Sequence, residues 1–215
     1  MQTVNTPVPR PAGEIIARLE REYPEARCSL HFNNPLEALI AVMLSSQCRD
    51  ERVNSVTAEL FRKYRTAADY AAADPVELEA ALKPLGLFKN KAKNLRTLAR
   101  QLINRYDGEV PRTLEELTSL PGVGRKTALV VLQEAFGLRH GIAVDTHVGR
   151  LARRLGLTDA GDPVKVEADL KNLLPPAAWA RINHLLIFHG RAVCKARRPK
   201  CEICVLQEFC RERAL

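Results

Sequence analysis

Two groups of residues carry chemistry by type and spacing. Cys194, Cys201, Cys204 and Cys210 give C-x6-C-x2-C-x5-C, four thiols within 17 residues that can converge on one metal centre. A zinc site of four cysteines usually uses two C-x2-C pairs, and here only one pair is that short. A 4Fe–4S cluster also takes four cysteines, and its larger cube suits wider, uneven spacing. The spacing favours iron–sulfur and leaves zinc as the alternative. Between the first two cysteines, Lys195, Arg197, Arg198 and Lys200 form a basic loop. Such a loop can clamp phosphate, offset the thiolate charge, or do both.

The second group is Leu120-Pro-Gly-Val-Gly-Arg-Lys126-Thr-Ala128. Gly122 and Gly124 permit positive φ and leave backbone N–H groups uncovered. At the start of a helix these make an anion site that holds phosphate without reading sequence. Arg125 and Lys126 fall in the first turn of that helix. The positive helix end and Arg125 both disfavour the charged form of Lys126, and a neutral lysine can attack carbon. The residues alone allow Lys126 to be a phosphate anchor or a nucleophile. Downstream, in Val144-Asp-Thr-His147, Asp145 precedes an amphipathic helix through Val148, Leu151 and Leu155. Asp is a good N-cap, and the same carboxylate can take a proton or stabilise developing positive charge.

The elements that position these groups are helical. Apolar spacing is mostly of helical period, β-type alternation is nearly absent, and the class is all-α with ten to twelve helices. Asn34-Pro35, Asp74-Pro75 and Asp162-Pro163 read as cap-then-proline helix starts. Thr113 followed by Glu116 reads as a capping box, ahead of a helix ending near Ser119. Residues 113–136 are therefore expected to form a helix–hairpin–helix. The best internal division lies near Leu138–Gly141, and Met1–Gly13, with three prolines, reads as a flexible lead-in.

The chain has 215 residues and a net charge of +8, with a sequence pI near 9.4. Such a balance favours a polyanionic partner. Lys89, Lys91, Lys93, Arg96, Arg100 and Arg105 lie in residues 86–106 without one acid, and residues 191–215 carry seven bases against three acids. No apolar run approaches the roughly 18–20 residues of a membrane span, and no secretory signal is seen. Without one, clustered cysteines indicate metal rather than disulfides. Cys28 and Cys48 have no metal spacing and read as ordinary buried thiols. The expected location is the cytoplasm, at the nucleoid.

These motifs, in this order, resemble the endonuclease III family of helix–hairpin–helix DNA glycosylases. The likeness runs from about Ile15 to Cys210. Leu44-Ser-Ser-Gln47 and Gly86-Leu-Phe-Lys-Asn-Lys-Ala92 also look like family segments. The resemblance implies two helical domains. Residues 28–138 would form a six-helix barrel, and residues 1–27 with 139–215 a domain holding one 4Fe–4S cluster on the four cysteines. DNA would lie across the groove between them.

The implied partner is double-stranded DNA with damaged pyrimidines or abasic sites, bound by a monomer. The implied activity is base excision followed by strand cleavage. Lys126 attacks the sugar, Asp145 assists, and β-elimination follows through a Schiff base. Gln47 and Leu87 match residues that fill the gap or wedge the opposite strand. Gly122, Gly124, Arg125, His147 and the basic loop would contact DNA. Read alone, Gln47 is a helix-end polar residue and Leu87 a core leucine. Leu129, Cys48 and the Leu138–Gly141 loop depart from the family pattern near the groove. A sister enzyme that removes mispaired adenine lacks the lysine and carries an extra C-terminal domain. A non-enzymatic cluster-containing DNA-binding module and a zinc-stabilised binding protein are the other readings; Lys126 with Asp145 argues for the enzyme.

Overall fold

The computed structural model describes residues 11–212. Eleven α-helices and three short 3-10 turns make up its regular structure, with no strand among the described residues. In order these are α1 (Ala12–Glu22), α2 (Pro35–Leu44), α3 (Asp50–Lys63), α4 (Ala67–Ala72), α5 (Pro75–Leu82), α6 (Phe88–Tyr106), α7 (Leu114–Thr118), α8 (Arg125–Phe136), α9 (Thr146–Arg154), α10 (Pro163–Leu173) and α11 (Pro176–Ala192). The 3-10 turns are Lys83–Leu85, Cys201–Ile203 and Gln207–Phe209. Among the described residues, no helix is long and apolar enough to cross a membrane. Most of the expected lead-in lies outside the described residues, but Ala12 and Gly13 belong to α1, where Ala12 is buried.

The cap-then-proline starts hold. Asn34 Oδ1 accepts from the Glu37 N–H at 2.9 Å, Asp74 Oδ1 from Glu77 at 2.9 Å, and Asp162 Oδ1 from Val164 and Lys165 at 3.0 and 3.1 Å. Each satisfies donors that a helix start leaves open. At Thr113 only half of the expected box forms. Its hydroxyl accepts from the Glu116 N–H but donates to the Glu116 carboxylate, which is thereby turned from the Thr113 backbone. The full reciprocal box is at Thr66 and Asp69, opening α4.

The chain divides into two compact units. One is Ser29–His140. The other takes the chain through Cys28 and resumes at Gly141. In the first, α4 and α5 pack on α6, and α2 and α7 pack on α8. The second helix, α2, is apolar on every side and buried from Ala38 to Leu44, as a central helix of such a unit must be. In the second unit α9 and α1 pack on α11, and α10 on α9; Ile15 and Leu19 carry α1 into this core.

Candidate active site

In the hairpin, Leu120 accepts from the Val123 N–H at 3.1 Å and closes the turn between α7 and α8. Gly122 takes φ +79°, and a Cβ there would lie 3.1 Å from Asn94 Nδ2 and 3.2 Å from Met43 Sδ. Gly124 precedes α8 in extended backbone, with open space around it and no side chain to cap the helix. A helix start of this kind, with no side-chain cap, is one at which an anion can bind. Ala128, Val131 and Leu132 face the core, so Lys126 and Arg125 point outward and are exposed. Leu129 is buried.

Gln47 and Leu87 lie in the same unit, and both are exposed. Leu87 is 55 % accessible, which removes the core-leucine reading. Both adopt left-handed backbone, Gln47 at φ 55° and Leu87 at φ 47°. That conformation costs a non-glycine residue roughly 1–2 kcal/mol. The basic run of residues 86–106 is not one solvated face, because Lys91 turns inward and is buried. Cys28 and Cys48 are half-buried rather than buried, Cys48 packing at the edge of this unit's core.

Asp145 belongs to the other unit and is the N-cap of α9. Its Oδ1 accepts from the His147 and Val148 N–H groups, each at 2.8 Å. Among the described residues Oδ2 has no hydrogen-bond partner, so one oxygen caps while the other stays available. The preceding segment is anchored by the buried Asn183, whose Nδ2 donates to the Ala143 carbonyl. His147 is half-buried. Arg150 donates to its Nδ1 at 3.1 Å, and burial pushes its pKa down while Asp145 opposes this.

The cysteines follow α11. Cys194 comes just after its end, Cys201 opens one 3-10 turn, and Cys204 and Cys210 each close one. All four are half-buried free thiols. Burial and the neighbouring cysteines raise the Cys204 and Cys210 thiols. Thiols gathered in this way need a cation to be held as thiolates. Among the described residues no three His, Cys, Asp or Glu side chains are placed to share one metal ion. Four half-buried thiols on one short segment are the donor set that a 4Fe–4S cluster takes.

Two arrangements near these sulfurs were not foreseen. Arg150 donates to the Cys194 carbonyl at 2.8 Å, and Arg154 to the Cys194 sulfur at 3.3 Å and the Lys195 carbonyl at 2.9 Å. His189, wholly buried, sets Nδ1 2.9 Å from the Tyr23 hydroxyl and Nε2 3.4 Å from Cys204 Sγ. Burial lowers the His189 pKa to about 4. With its proton on Nε2, neutral His189 accepts from Tyr23 and donates to sulfur. Between Cys194 and Cys201, the Val193 carbonyl accepts from Lys195 at 2.9 Å and Lys200 at 3.0 Å. That closes a loop on which Lys195, Arg197, Arg198 and Lys200 are all exposed.

A hairpin between two helices in an all-α chain, followed by a four-cysteine segment, is the arrangement of the helix–hairpin–helix base-excision DNA-repair class, to which the family models assign this chain. Residues 40–176 match the HhH-GPD superfamily of base excision DNA repair proteins, and residues 194–210 the iron–sulfur binding domain of endonuclease III. Endonuclease III of Synechocystis is 49 % identical, over 93 % of this chain and 91 % of its own. A non-covalent endonuclease III–DNA complex superimposes with a TM-score of 0.89 at 47 % identity, each chain covered to 94 %. A trapped covalent endonuclease III–DNA intermediate, an estranged-adenine complex, matches with the same values. The chain belongs to the endonuclease III family and carries an iron–sulfur cluster on Cys194, Cys201, Cys204 and Cys210.

Proposed function

We propose that Lys126 is the nucleophile of this bifunctional DNA glycosylase and abasic-site lyase, and that Asp145 assists it. The neutral amine attacks the anomeric carbon of a damaged deoxynucleoside, and the base leaves with the glycosidic electron pair. The product is a protonated Schiff base between Lys126 and the opened sugar. It acidifies the adjacent sugar carbon; loss of that proton expels the 3′ phosphate by β-elimination. Asp145 takes the amine proton or stabilises the cationic sugar through its uncapped oxygen.

Gly122, Gly124 and Arg125 hold the backbone phosphate beside the lesion, and His147 adds a contact through its own helix start. Gln47 and Leu87 enter the stack as the damaged base leaves it, a step costing a few kcal/mol. Lys195, Arg197, Arg198 and Lys200 clamp phosphates further along. When bound, the cluster supplies a four-point anchor for this loop. The substrate class is oxidised pyrimidines and abasic sites in duplex DNA, met by a monomer at the nucleoid in the cytoplasm. The observation that carries the reading is an exposed lysine in the first turn of α8, behind a hairpin that leaves that turn uncapped.

Borohydride reduction with a lesion-bearing duplex tests it. The wild-type protein forms a covalent adduct and Lys126→Ala forms none. An undiminished adduct in the variant refutes the assignment.

A further inference from the structure

Lys91 is the buried charge that the proposed chemistry leaves unused. It lies on α6 and is 6 % exposed. Burying an ammonium is costly unless it is paired, yet no carboxylate pairs with it among the described residues. Instead its Nζ donates to the Leu85 carbonyl at 3.0 Å. Burial pushes its pKa down, and the neighbouring Cys48 thiol opposes this.

Both neighbours matter. Leu85 is buried and ends the 3-10 turn from which Gly86 and Leu87 emerge. The Lys91 backbone N–H also bonds the Leu87 carbonyl at 3.0 Å. Lys91 thus grips this turn twice, once by its backbone and once by its side chain. Cys48 is the residue after Gln47. Among the described residues only four other than glycine have positive φ, and two of them are Gln47 and Leu87. The same helix continues to Asn94, the side chain against which Gly122 is packed.

We propose that Lys91 is a positioning residue for lesion readout. Its ammonium holds the left-handed turns at Leu87 and Gln47 in the shapes with which those side chains enter DNA. The inference rests on the reading of Leu87 and Gln47 given above. Lysine suits the task, since its stem reaches through packed side chains and its compact head offers three donors to a carbonyl at the base of a turn. Once that carbonyl is satisfied, strained backbone next to it persists without a partner of its own.

A double-mutant cycle on the cluster-loaded protein tests this, with Lys91→Met, Leu87→Ala and the pair. Three readouts are needed: excision kcat/KM on a lesion duplex, fluorescence of 2-aminopurine placed opposite the lesion, and strand cleavage at an abasic site facing a gap. Lys91→Met is expected to lose roughly tenfold or more in excision, the scale of one lost charged hydrogen bond. It loses the 2-aminopurine rise, keeps cleavage opposite the gap, and in the pair adds nothing to Leu87→Ala. Lys91→Arg, which keeps a donor, retains the fluorescence rise. Wild-type excision by Lys91→Met, multiplied losses in the pair, an equal loss opposite the gap, or a flat fluorescence signal from folded Lys91→Arg each overturn the proposal. Wild-type excision by Leu87→Ala removes the wedge reading and this inference with it; a defective Leu87→Ala beside multiplied losses removes only the role of Lys91.

Discussion

Replacing Gly122 with alanine separates the two hairpin glycines. At φ +79° an alanine is strained by roughly 1–2 kcal/mol. Its Cβ would also stand 3.1 Å from Asn94 Nδ2, 3.2 Å from Met43 Sδ and 3.3 Å from Asn94 Cβ, so these side chains must give by a few tenths of an ångström. Crowding of that kind adds about 1 kcal/mol. The expected loss is about 2–3 kcal/mol, which for a chain of this size lowers Tm by roughly 4–12 °C. Gly124→Ala is the matched control. Its backbone is ordinary and its surroundings open, so it costs under about 1 kcal/mol, as at a helix start that prefers glycine to alanine. Thermal and urea unfolding of both variants, with Kd for an abasic-analogue duplex, measure the difference. Both should weaken DNA binding, and only Gly122→Ala should lose much stability. Equal stability losses, or a Gly122→Ala loss below about 0.5 kcal/mol, refute the reasoning.

Asp145→Asn should keep the α9 cap, since Asn caps as well as Asp, and lose roughly 100-fold or more in kcat; Asp145→Ala should lose about 1 kcal/mol as well, read by unfolding and single-turnover kinetics. Leu132→Ala, emptying a fully buried site, should cost about 2–5 kcal/mol in urea unfolding. Lys91 has its folded pKa depressed, so the unfolded chain binds more protons as pH approaches the ordinary lysine value of about 10.4. Wild type should therefore gain stability relative to Lys91→Met as pH rises toward about 10.4 and lose it again as pH falls; parallel stability curves would contradict this. Chelating the iron should bleach the visible absorbance, lower Tm and weaken DNA binding with a smaller salt slope, as the loop cations disperse.

Features set by neighbours in sequence were legible. The caps at Asn34, Asp74 and Asp162 each need only a polar side chain three residues or fewer from the amide it meets. The hairpin glycines, the helix that Asp145 caps and the cysteine spacing are local in the same sense. What escaped depends on distance or on rare backbone. His189 meets Tyr23 across 166 residues, and Arg154 meets Cys194 across 40. Nothing in the local sequence of α9 marked Arg150 or Arg154 as reaching the cysteine segment. Gln47 and Leu87 take left-handed backbone with no glycine to mark it, and the inward turn of Lys91 was hidden inside a run of bases. At Thr113 the expected pair of residues met through a different bond, since sequence names the partners and not the geometry.

The unit that holds the cysteines is written in two pieces, with Ser29–His140 between them. Helix α1 is therefore made first and finished last. Its Ile15 and Leu19 have no core to enter until α9 and α11 exist. Synthesis runs at about 5–20 residues per second, which leaves α1 waiting on the order of ten seconds beside the ribosome. The uninterrupted unit can fold within that time. Ribosome-bound chains stopped near residue 175, ahead of α11, should thus show a protected hairpin and a protease-sensitive α1, and the cysteines would meet their iron only after the lysine already stood in place.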